Sequence, residues 1–410
     1  MLKQKGSVLG ATFLVAGTSI GGGMLALPVA TGVAGFYPSL VMMLLGWAFM
    51  TTTALFLTEV NLWMEEGSHV ITMVSRLLGP VGKIIAWLLY LFISYASLTA
   101  YASGGGDLFA MALKRFFNIS IPEVWAVIIF VLLFGSIIYL GNVVIGRVNT
   151  LLMVGLIGSY LFIVAMGAPY VQGALLLRKS WGNTLIAVPL LLTIFSFQTI
   201  VPSLTIYLKQ DGRRLRLSIV LGTTIALIVY VVWEWLVLGT VLLDGDFGLA
   251  AALAMGKPAS DFLGVAVGSV WLSTLADFFA FFALTTSFLG IALGLFDFLA
   301  DGLKIKKERW GSFSLGLLIA IPVLFFTLSM ERVFLRALDA SGGIGDSILN
   351  GLFPALMLWI GRYRKQFFSE YRLPGGKPLI VLVVIYALFV FTIEVLGKFS
   401  IIVSLGAIGI

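Results

Sequence analysis

Long apolar stretches, separated by short polar segments, run along the whole chain. A membrane-spanning helix needs about 20 predominantly apolar residues, and more if it is tilted. Eleven stretches meet this requirement, over residues 7–33, 38–64, 83–112, 122–141, 148–171, 183–208, 216–243, 268–301, 311–329, 334–360 and 378–398. The sequence therefore predicts an all-α integral membrane protein. Polar and small residues interrupt the first half of the tenth stretch: Asp339, Gly342, Gly343, Gly345 and Asp346.

Composition agrees with this class and narrows the chemistry. Of 410 residues, 60% are hydrophobic and 11% are charged, whereas soluble domains carry roughly 25% charged residues. The chain has no cysteine and one histidine, His69, which excludes disulfides, Cys-bound zinc, iron–sulfur clusters and paired haem ligands. Because no nucleophile–base set or metal cluster is visible either, we expect neither enzymatic activity nor a cofactor.

The basic residues predict the orientation in the membrane. With the N-terminus inside, 18 of the 26 Lys and Arg residues fall in cytoplasmic segments and eight fall outside. Such an excess is typical of cytoplasmic loops, so the net charge of +7 gives no reason to expect a nucleic-acid partner. The largest predicted loops, 244–267 and 361–377, are about 20 residues long, too short to fold alone, so we expect function to lie within the helix bundle.

Two predicted spans contain residues that interrupt an α-helix. The first includes Gly17-Thr18-Ser19-Ile20-Gly21-Gly22-Gly23 with Pro28 beyond, and the sixth includes Phe195-Ser196-Phe197-Gln198 with Pro202 beyond. Each Gly costs a helix about 1 kcal/mol relative to Ala. Breaks at matching places in two halves indicate a transporter binding site. Close helix packing is the alternative for the three consecutive glycines.

Matching breaks five spans apart also predict the domain organisation. Because five is odd, two five-span units insert with opposite orientations. The predicted units are residues 1–171 and 183–360, followed by the eleventh span and C-terminus at 378–410.

A broken helix suits an amino acid as ligand. Free N–H groups and a positive dipole end face one side, and free carbonyls face the other. The first would bind a carboxylate and the second an ammonium group. Aromatic side chains nearby could stack on a ring, although ordinary packing is the alternative for the tyrosines. The candidates are Ala16, Gly17, Thr18, Ser19, Gly21, Gly22, Gly23, Tyr95, Tyr101, Phe195, Ser196, Phe197 and Gln198.

Three motifs resemble the hydroxy/aromatic amino acid permeases, a family of the amino acid/polyamine/organocation superfamily. They are the run from Gly17 to Pro28, the run from Thr286 to Asp297, and Val201-Pro202-Ser203. The resemblance covers nearly the whole chain and is nearest to the tyrosine-specific permeases, with the tryptophan permeases as near relatives. One departure concerns the sixth break, where Ser196-Phe197-Gln198 stands in place of the Gly-Phe-His typical of tyrosine permeases.

The resemblance carries several expectations. It implies a five-plus-five inverted core like that of the bacterial leucine transporter, with one additional C-terminal helix. It implies proton-driven uptake across a bacterial inner membrane, with tyrosine first and tryptophan or phenylalanine next. Substrate is then held by spans 1 and 6, with help from spans 3 and 8, where Phe288 lies in the matching motif. No oligomer is implied.

The coupling ion has two candidate sites. Acids inside spans mark function, and Glu234 and Asp277 are the deepest by position. By resemblance to the leucine-transporter fold, Ala283, Thr286 and Ser287, with the carbonyls of Gly17 and Ile20, are the candidates for a sodium site. The alternative is that Thr286 and Ser287 bond to their own helix. The family favours a proton, sodium stays the alternative, and a channel is more remote because no repeated filter is visible.

Overall fold

The structure is a computed structural model, and it describes residues 6–65, 68–140, 142–330 and 332–399. Lys3, Lys5 and residues 400–410, which belong to the predicted N-terminal and C-terminal segments, lie outside the described residues. All regular secondary structure within the described ranges is helical.

The helices follow the predicted spans, except that the helix of span 3 begins at Val70, before the predicted start, and is kinked at Gly79 (φ 78°, ψ −170°). They are Val8–Ser19 and Gly23–Thr31 (span 1), Phe36–Leu62 (span 2), Val70–Phe117 (span 3), Glu123–Ser136 (span 4), Asn142–Gly167 (span 5), Val188–Ile194 and Val201–Tyr207 (span 6), Gly212–Thr240 (span 7), Leu249–Met255 and Ser260–Val267 (the 249–267 segment), Val270–Leu303 (span 8), Arg309–Ser329 (span 9), Val333–Ala340, Ser341–Leu352 and Phe353–Tyr363 (span 10), and Gly376–Lys398 (span 11).

Length and composition support the membrane assignment. Within the described residues nine helical segments can cross a membrane, or ten when the bent pair of span 1 counts as one. Glu123–Tyr139 is a shorter apolar helix at the position of the fourth predicted span. The prediction of an all-α, multi-pass membrane protein is confirmed.

Both predicted interruptions are present. The first half of span 1 ends at Ser19, because Ile20 is extended with φ −75° and ψ 100°, and the two halves are bent by 56°. Span 6 stops being α-helical after Ile194 and resumes at Val201. Pro202 then lies in the first turn of the new helix, where no backbone N–H is needed.

Span 10 departs from α-helical geometry in its middle. Ser341–Leu352 is a π-helix, which is rare and frequently found at functional sites. A Cβ at Gly342 would lie 1.9 Å from the Pro189 carbonyl oxygen, and one at Gly343 would lie 2.5 Å from Cγ of Glu394. These glycines therefore allow spans 6 and 11 to approach span 10 closely.

The loops predicted to be cytoplasmic meet at one end of the bundle. Lys365 Nζ donates to the Arg76 carbonyl at 2.7 Å, and Arg214 reaches the Gly6 carbonyl at 3.5 Å. We call this the inner end, and the opposite end, where Arg178 Nη1 donates to the Val33 carbonyl at 3.0 Å, the outer end. Which end faces the cytoplasm stays a prediction from the charge count.

Candidate functional site

The two broken spans meet at one tyrosine of span 7. The Tyr230 hydroxyl lies 2.5 Å from the carbonyl oxygen of Ser19 and 2.8 Å from that of Ile194. These residues end the first halves of spans 1 and 6. Helix C-termini carry partial negative charge on unpaired carbonyls, and a hydroxyl has only one proton to donate. The geometry therefore presents two carbonyls to one donor, an arrangement that also suits an ammonium group.

Donor groups lie at the start of the second half of span 1. The Gly22 N–H donates to the Ser287 hydroxyl of span 8 at 2.9 Å. Ser287 is partly accessible, whereas Gly21, Gly22 and Gly23 are buried. The break thus places an N–H group and a hydroxyl side by side, close to the two carbonyls of the preceding helix ends.

The glycines of the first break also serve close packing. A Cβ at Gly22 would lie 2.7 Å from Leu284 and 2.8 Å from Tyr101. A Cβ at Gly21 would lie 2.4 Å from the Ser287 hydroxyl oxygen, and one at Gly23 would lie 3.0 Å from Ile194. Both interpretations of the three glycines therefore apply. They allow close packing and they lie at the break, because span 1 unwinds where spans 3, 6 and 8 touch it.

Aromatic rings surround the breaks. Phe195 packs edge-on against Tyr230, with ring centroids 5.1 Å apart, and Tyr101 is buried with its hydroxyl directed towards Ser287. Phe197 is buried in the sixth break. The sequence named three of these aromatic residues, Phe195, Phe197 and Tyr101, and the structure brings them together near the breaks. Tyr230 was not among the candidates from the sequence.

Gln198 has a different position from the one predicted. Its Nε2 donates to the Met50 carbonyl and to the Thr53 hydroxyl, both at 3.1 Å, and its Oε1 accepts from the Phe197 N–H at 2.9 Å. The amide is fully buried and fully bonded. Gln198 thus fastens the sixth break to span 2.

Three other candidates do not direct their side chains to the breaks, and a fourth, Ala16, closes the last helical turn before the first break. Tyr95 donates to the Leu318 carbonyl of span 9 at 2.8 Å. Phe288 packs edge-on against Phe130 at 5.4 Å and lines a cavity of about 180 Å³ between spans 4, 8 and 9. Thr18 is exposed and bonds back to its own helix, while Ala16 accepts from the backbone N–H of Ile20.

The hydroxyl pair of span 8 is split between two partners. Thr286 Oγ1 donates within its own helix, to the carbonyls of Phe282 at 2.8 Å and Ala283 at 3.1 Å, as the alternative for this residue states. Ser287 instead crosses to span 1. Gly17 and Ile20 are half-buried beside the break.

The two acids named from the sequence lie away from the breaks. Asp277 pairs with Arg115, and its side chain is 20% exposed. It follows only seven residues after span 8 begins at Val270, which corrects the expected depth. Glu234 is fully buried and accepts from the Thr31 hydroxyl at 2.8 Å, in the outer half of span 1.

Sequence reasoning missed an acid that does lie at a break. Asp346 of span 10 is fully buried, and its Oδ1 accepts from the Ser196 hydroxyl at 2.8 Å and from Asn350 Nδ2 at 2.6 Å. The available signal is a carboxylate among glycines within an apolar span, a pattern that also indicates a simple interruption of the helix. Tyr230 was also missed, since a tyrosine in an apolar span gives no signal of its own.

Comparisons with known proteins relate this chain to a family. A profile described as the tryptophan/tyrosine permease family matches residues 4–394. A tryptophan-specific transport protein of Haemophilus influenzae is 31% identical over 404 residues, covering 95% of this chain and 96% of that protein. Tyrosine-specific transport system 1 of the same organism is also 31% identical over 394 residues, covering 94% and 96%. The tryptophan-specific transport protein of Pseudomonas aeruginosa is 30% identical over 390 residues, covering 93% of each chain.

Solved structures agree on the fold. The chain superposes on MhsT in complex with L-phenylalanine with a TM-score of 0.64 at 15% identity, covering 95% of this chain and 100% of that one. A manganese transporter of Eremococcus coleocola gives a TM-score of 0.59 at 17% identity, covering 96% and 87%. The leucine-transporter-like fold that the sequence implied is thereby confirmed.

Proposed function

This chain belongs to the tryptophan/tyrosine permease family, and from that premise we propose that it imports tyrosine in symport with a proton. The members of this family are aromatic amino acid permeases, and this chain shares that class and has a transporter fold. Our proposal adds the preferred substrate, the coupling ion and a position in the bacterial inner membrane with the N-terminus inside. Preference for tryptophan or phenylalanine and coupling to sodium are the alternatives.

One observation carries the proposal, namely the pair of helix-end carbonyls that share the Tyr230 hydroxyl. Ser19 and Ile194 belong to different repeats of the predicted architecture, and both carbonyls point at the same donor. An ammonium group brings more donors than a hydroxyl, so it can satisfy both carbonyls at once. The substrate carboxylate would then take the Gly22 N–H and the Ser287 hydroxyl, which are paired with each other at 2.9 Å.

Polar groups beside the sixth break support tyrosine as the preferred side chain. Ser196 is partly accessible, and its hydroxyl contacts Asn350 Nδ2 at 3.2 Å. A site that hydrogen-bonds a substrate hydroxyl discriminates strongly against an analogue that lacks it. Phenol-binding groups here would therefore favour tyrosine over phenylalanine, with Phe195 and Tyr101 contacting the ring.

Counterflow in proteoliposomes tests the substrate. Labelled tyrosine should exchange into vesicles preloaded with tyrosine, and competition by the twenty amino acids should rank tyrosine first, then tryptophan and phenylalanine. A channel would show no counterflow. Stronger competition by aliphatic amino acids than by aromatic ones would show that the binding site is wrongly assigned.

Ion gradients test the coupling in the same vesicles. An inward proton gradient without sodium should drive tyrosine above its external concentration. Accumulation that requires a sodium gradient, and that Ser287→Ala abolishes, would instead favour an ion site at Thr286 and Ser287. Loss of transport in Ser287→Ala does not by itself identify an ion site, because this hydroxyl also accepts a hydrogen bond from the Gly22 N–H. The dependence of accumulation on sodium decides between the two ions.

A further inference from the structure

Span 10 carries a carboxylate at mid-depth of the bundle. Asp346 lies near the middle of the helical segment Val333–Tyr363, and its partner Ser196 lies near the middle of Trp181–Tyr207. Asp346 has no accessible surface. The acid is therefore placed at the depth of the sixth break, where the chain is least regular.

Asp346 is only partly bonded. Oδ1 accepts from Ser196 and Asn350, while Oδ2 is buried without a hydrogen-bond partner. The nearby Thr193 hydroxyl donates its proton to the Leu338 carbonyl at 2.7 Å. A buried polar atom without a partner costs free energy. The ionised state of Asp346 is therefore unfavourable here, because no donor group of the described ranges reaches Oδ2.

The part of the chain that the structure describes gives this carboxyl no positively charged partner. Among the described residues, no Lys, Arg or His forms an ion pair with Asp346. An isolated ionised carboxylate in an apolar interior is costly, and such groups neutralise instead. A bound proton removes this charge.

The elements packed on this part of span 10 offer few other titratable groups. Span 3 presents Tyr101 towards Asp346. Span 11 presents Glu394 beside Gly343, where it faces Asp339 and pairs with Lys398 at 3.2 Å. Span 6 contributes only hydroxyls at this level, and span 2 contributes a phenylalanine ring near Gly351.

The other buried acids lie closer to span ends or are already paired. Glu234 precedes the end of span 7 by six residues, Asp339 follows the start of span 10 by six, and Glu394 precedes the end of span 11 by four. Glu59 is neutralised by Arg362. A group that carries a proton across must be reached from each side in turn, which favours an acid at mid-depth beside a break.

We propose that Asp346 carries the coupled proton of the transport cycle, an inference that rests on the proposed proton symport. The carboxylate takes a proton from outer water and releases it to inner water. Protonation of Oδ2 turns that oxygen from an acceptor into a donor. It also removes the negative charge that strengthens the hydrogen bond from Ser196 in the sixth break to Oδ1. The proton is thereby linked to the position of the half-helix that binds substrate.

The geometry argues against Asp346 as the ammonium ligand. In symport, the proton and the substrate must be bound together. If the ammonium group paired with the carboxylate, the incoming substrate would displace the proton, and exchange would result. The carbonyls of Ser19 and Ile194 already provide an ammonium site that leaves the carboxyl free.

The variant Asp346→Asn tests whether proton transport can be removed while substrate transport is kept. The amide keeps the shape of the residue and an oxygen acceptor for Ser196, but it cannot titrate. We expect tyrosine counterflow to persist with a similar half-saturating concentration, and uphill accumulation on an inward proton gradient to be lost. The matched controls Glu234→Gln and Asp339→Asn, which neutralise buried acids nearer the span ends, should keep accumulation.

Three results would overturn the inference. Asp346→Asn vesicles that still accumulate tyrosine on a proton gradient would show that the proton binds elsewhere. A variant that is well folded but has lost counterflow would assign Asp346 to substrate binding or to structure. If the variant cannot be purified, Asp346→Glu decides: a shifted pH profile of uptake supports the assignment, and an unchanged profile refutes it.

The parent protein distinguishes this failure from that of the proposed function. No tyrosine counterflow in the parent overturns the substrate assignment, and accumulation on a sodium gradient alone overturns proton symport. In the second case the role of Asp346 as proton carrier falls as well. A parent that accumulates tyrosine on a proton gradient leaves the three results above to judge Asp346.

Discussion

A buried ion pair joins two spans at the inner end of the bundle and offers a quantitative test of the structure. Arg362 Nε of span 10 lies 2.7 Å from Glu59 Oε1 of span 2. The Leu373 N–H donates to Glu59 Oε2 at 2.8 Å, and Arg362 Nη2 donates to the Leu373 carbonyl at 2.8 Å. Both side chains are at most 3% exposed. One charge pair thus ties two spans to the loop that leads into span 11.

The expected cost depends on whether one charge is removed or both. Glu59→Gln leaves the Arg362 guanidinium buried without its counter-ion, which typically costs about 3–5 kcal/mol. Replacing both residues by methionine removes both charges, and such apolar replacements are often neutral. The double variant still loses the two hydrogen bonds to Leu373, at about 1 kcal/mol each. It should therefore be more stable than the single variant.

Thermal unfolding in detergent measures this order. Tm should fall most for Glu59→Gln, less for the double methionine variant, and least for the control Asp297→Asn. The control breaks the Lys307–Asp297 pair, whose side chains are 47% and 48% exposed, and such pairs contribute about 0–1 kcal/mol. Equal Tm values for Glu59→Gln and Asp297→Asn, or a double variant no better than the single one, would refute the buried pair.

Three further expectations follow from the packing and the charges. Gly22→Leu should abolish tyrosine binding, because a Cβ there would lie 2.7 Å from a leucine side chain of span 8. The control Gly290→Leu should keep binding, because nothing lies within 4 Å of a Cβ at that position. Equal binding in the two variants would contradict the proposed site. In intact cells an impermeant thiol reagent should label Lys257→Cys and spare Lys306→Cys, in a chain with no cysteine of its own; the reverse pattern would invert the topology. Burial raises the pKa of Asp261 to about 7, against the attraction of Lys257. The folded protein holds this proton more tightly than the unfolded chain, so stability falls as the pH rises from about 4 to about 7. Asp261→Asn should therefore raise Tm more at about pH 8 than at about pH 5; a gain that does not depend on pH would contradict this.

The spans were predictable because lipid imposes a simple requirement. A stretch of about 20 apolar residues is rarely anything other than a membrane span. The predicted spans 7–33 and 38–64 correspond to helices over 8–31 and 36–62 in the structure. The breaks were predictable for a related reason, since glycine and proline are costly inside a helix. Gly21-Gly22-Gly23 therefore located the first break within a residue or two.

The side chains of the site were harder to predict because depth and direction are set by the fold. Span 8 runs for 34 residues from Val270 to Leu303, longer than a bilayer requires, so Asp277 near its start lies at the outer end. Phe288 is next to Ser287, but consecutive residues point about 100° apart on a helix with 3.6 residues per turn. The serine therefore faces span 1 while the ring faces span 4.

The partners of the two halves of span 1 indicate how the proposed transport cycle would proceed. The inner half is held at its start by the Gly6 N–H, which donates to the Tyr207 carbonyl at the inner end of span 6, 3.2 Å away. The outer half is held by the Leu25 carbonyl, which accepts from Ala259 of the 249–267 segment at 3.1 Å. These two partners belong to different elements, whereas span 7 holds both halves, through the Tyr230 hydroxyl at Ser19 and through Glu234 at Thr31. Each such hydrogen bond contributes only about 1 kcal/mol net, and the unwound residues between the halves leave no continuous helix to be broken when one of them moves.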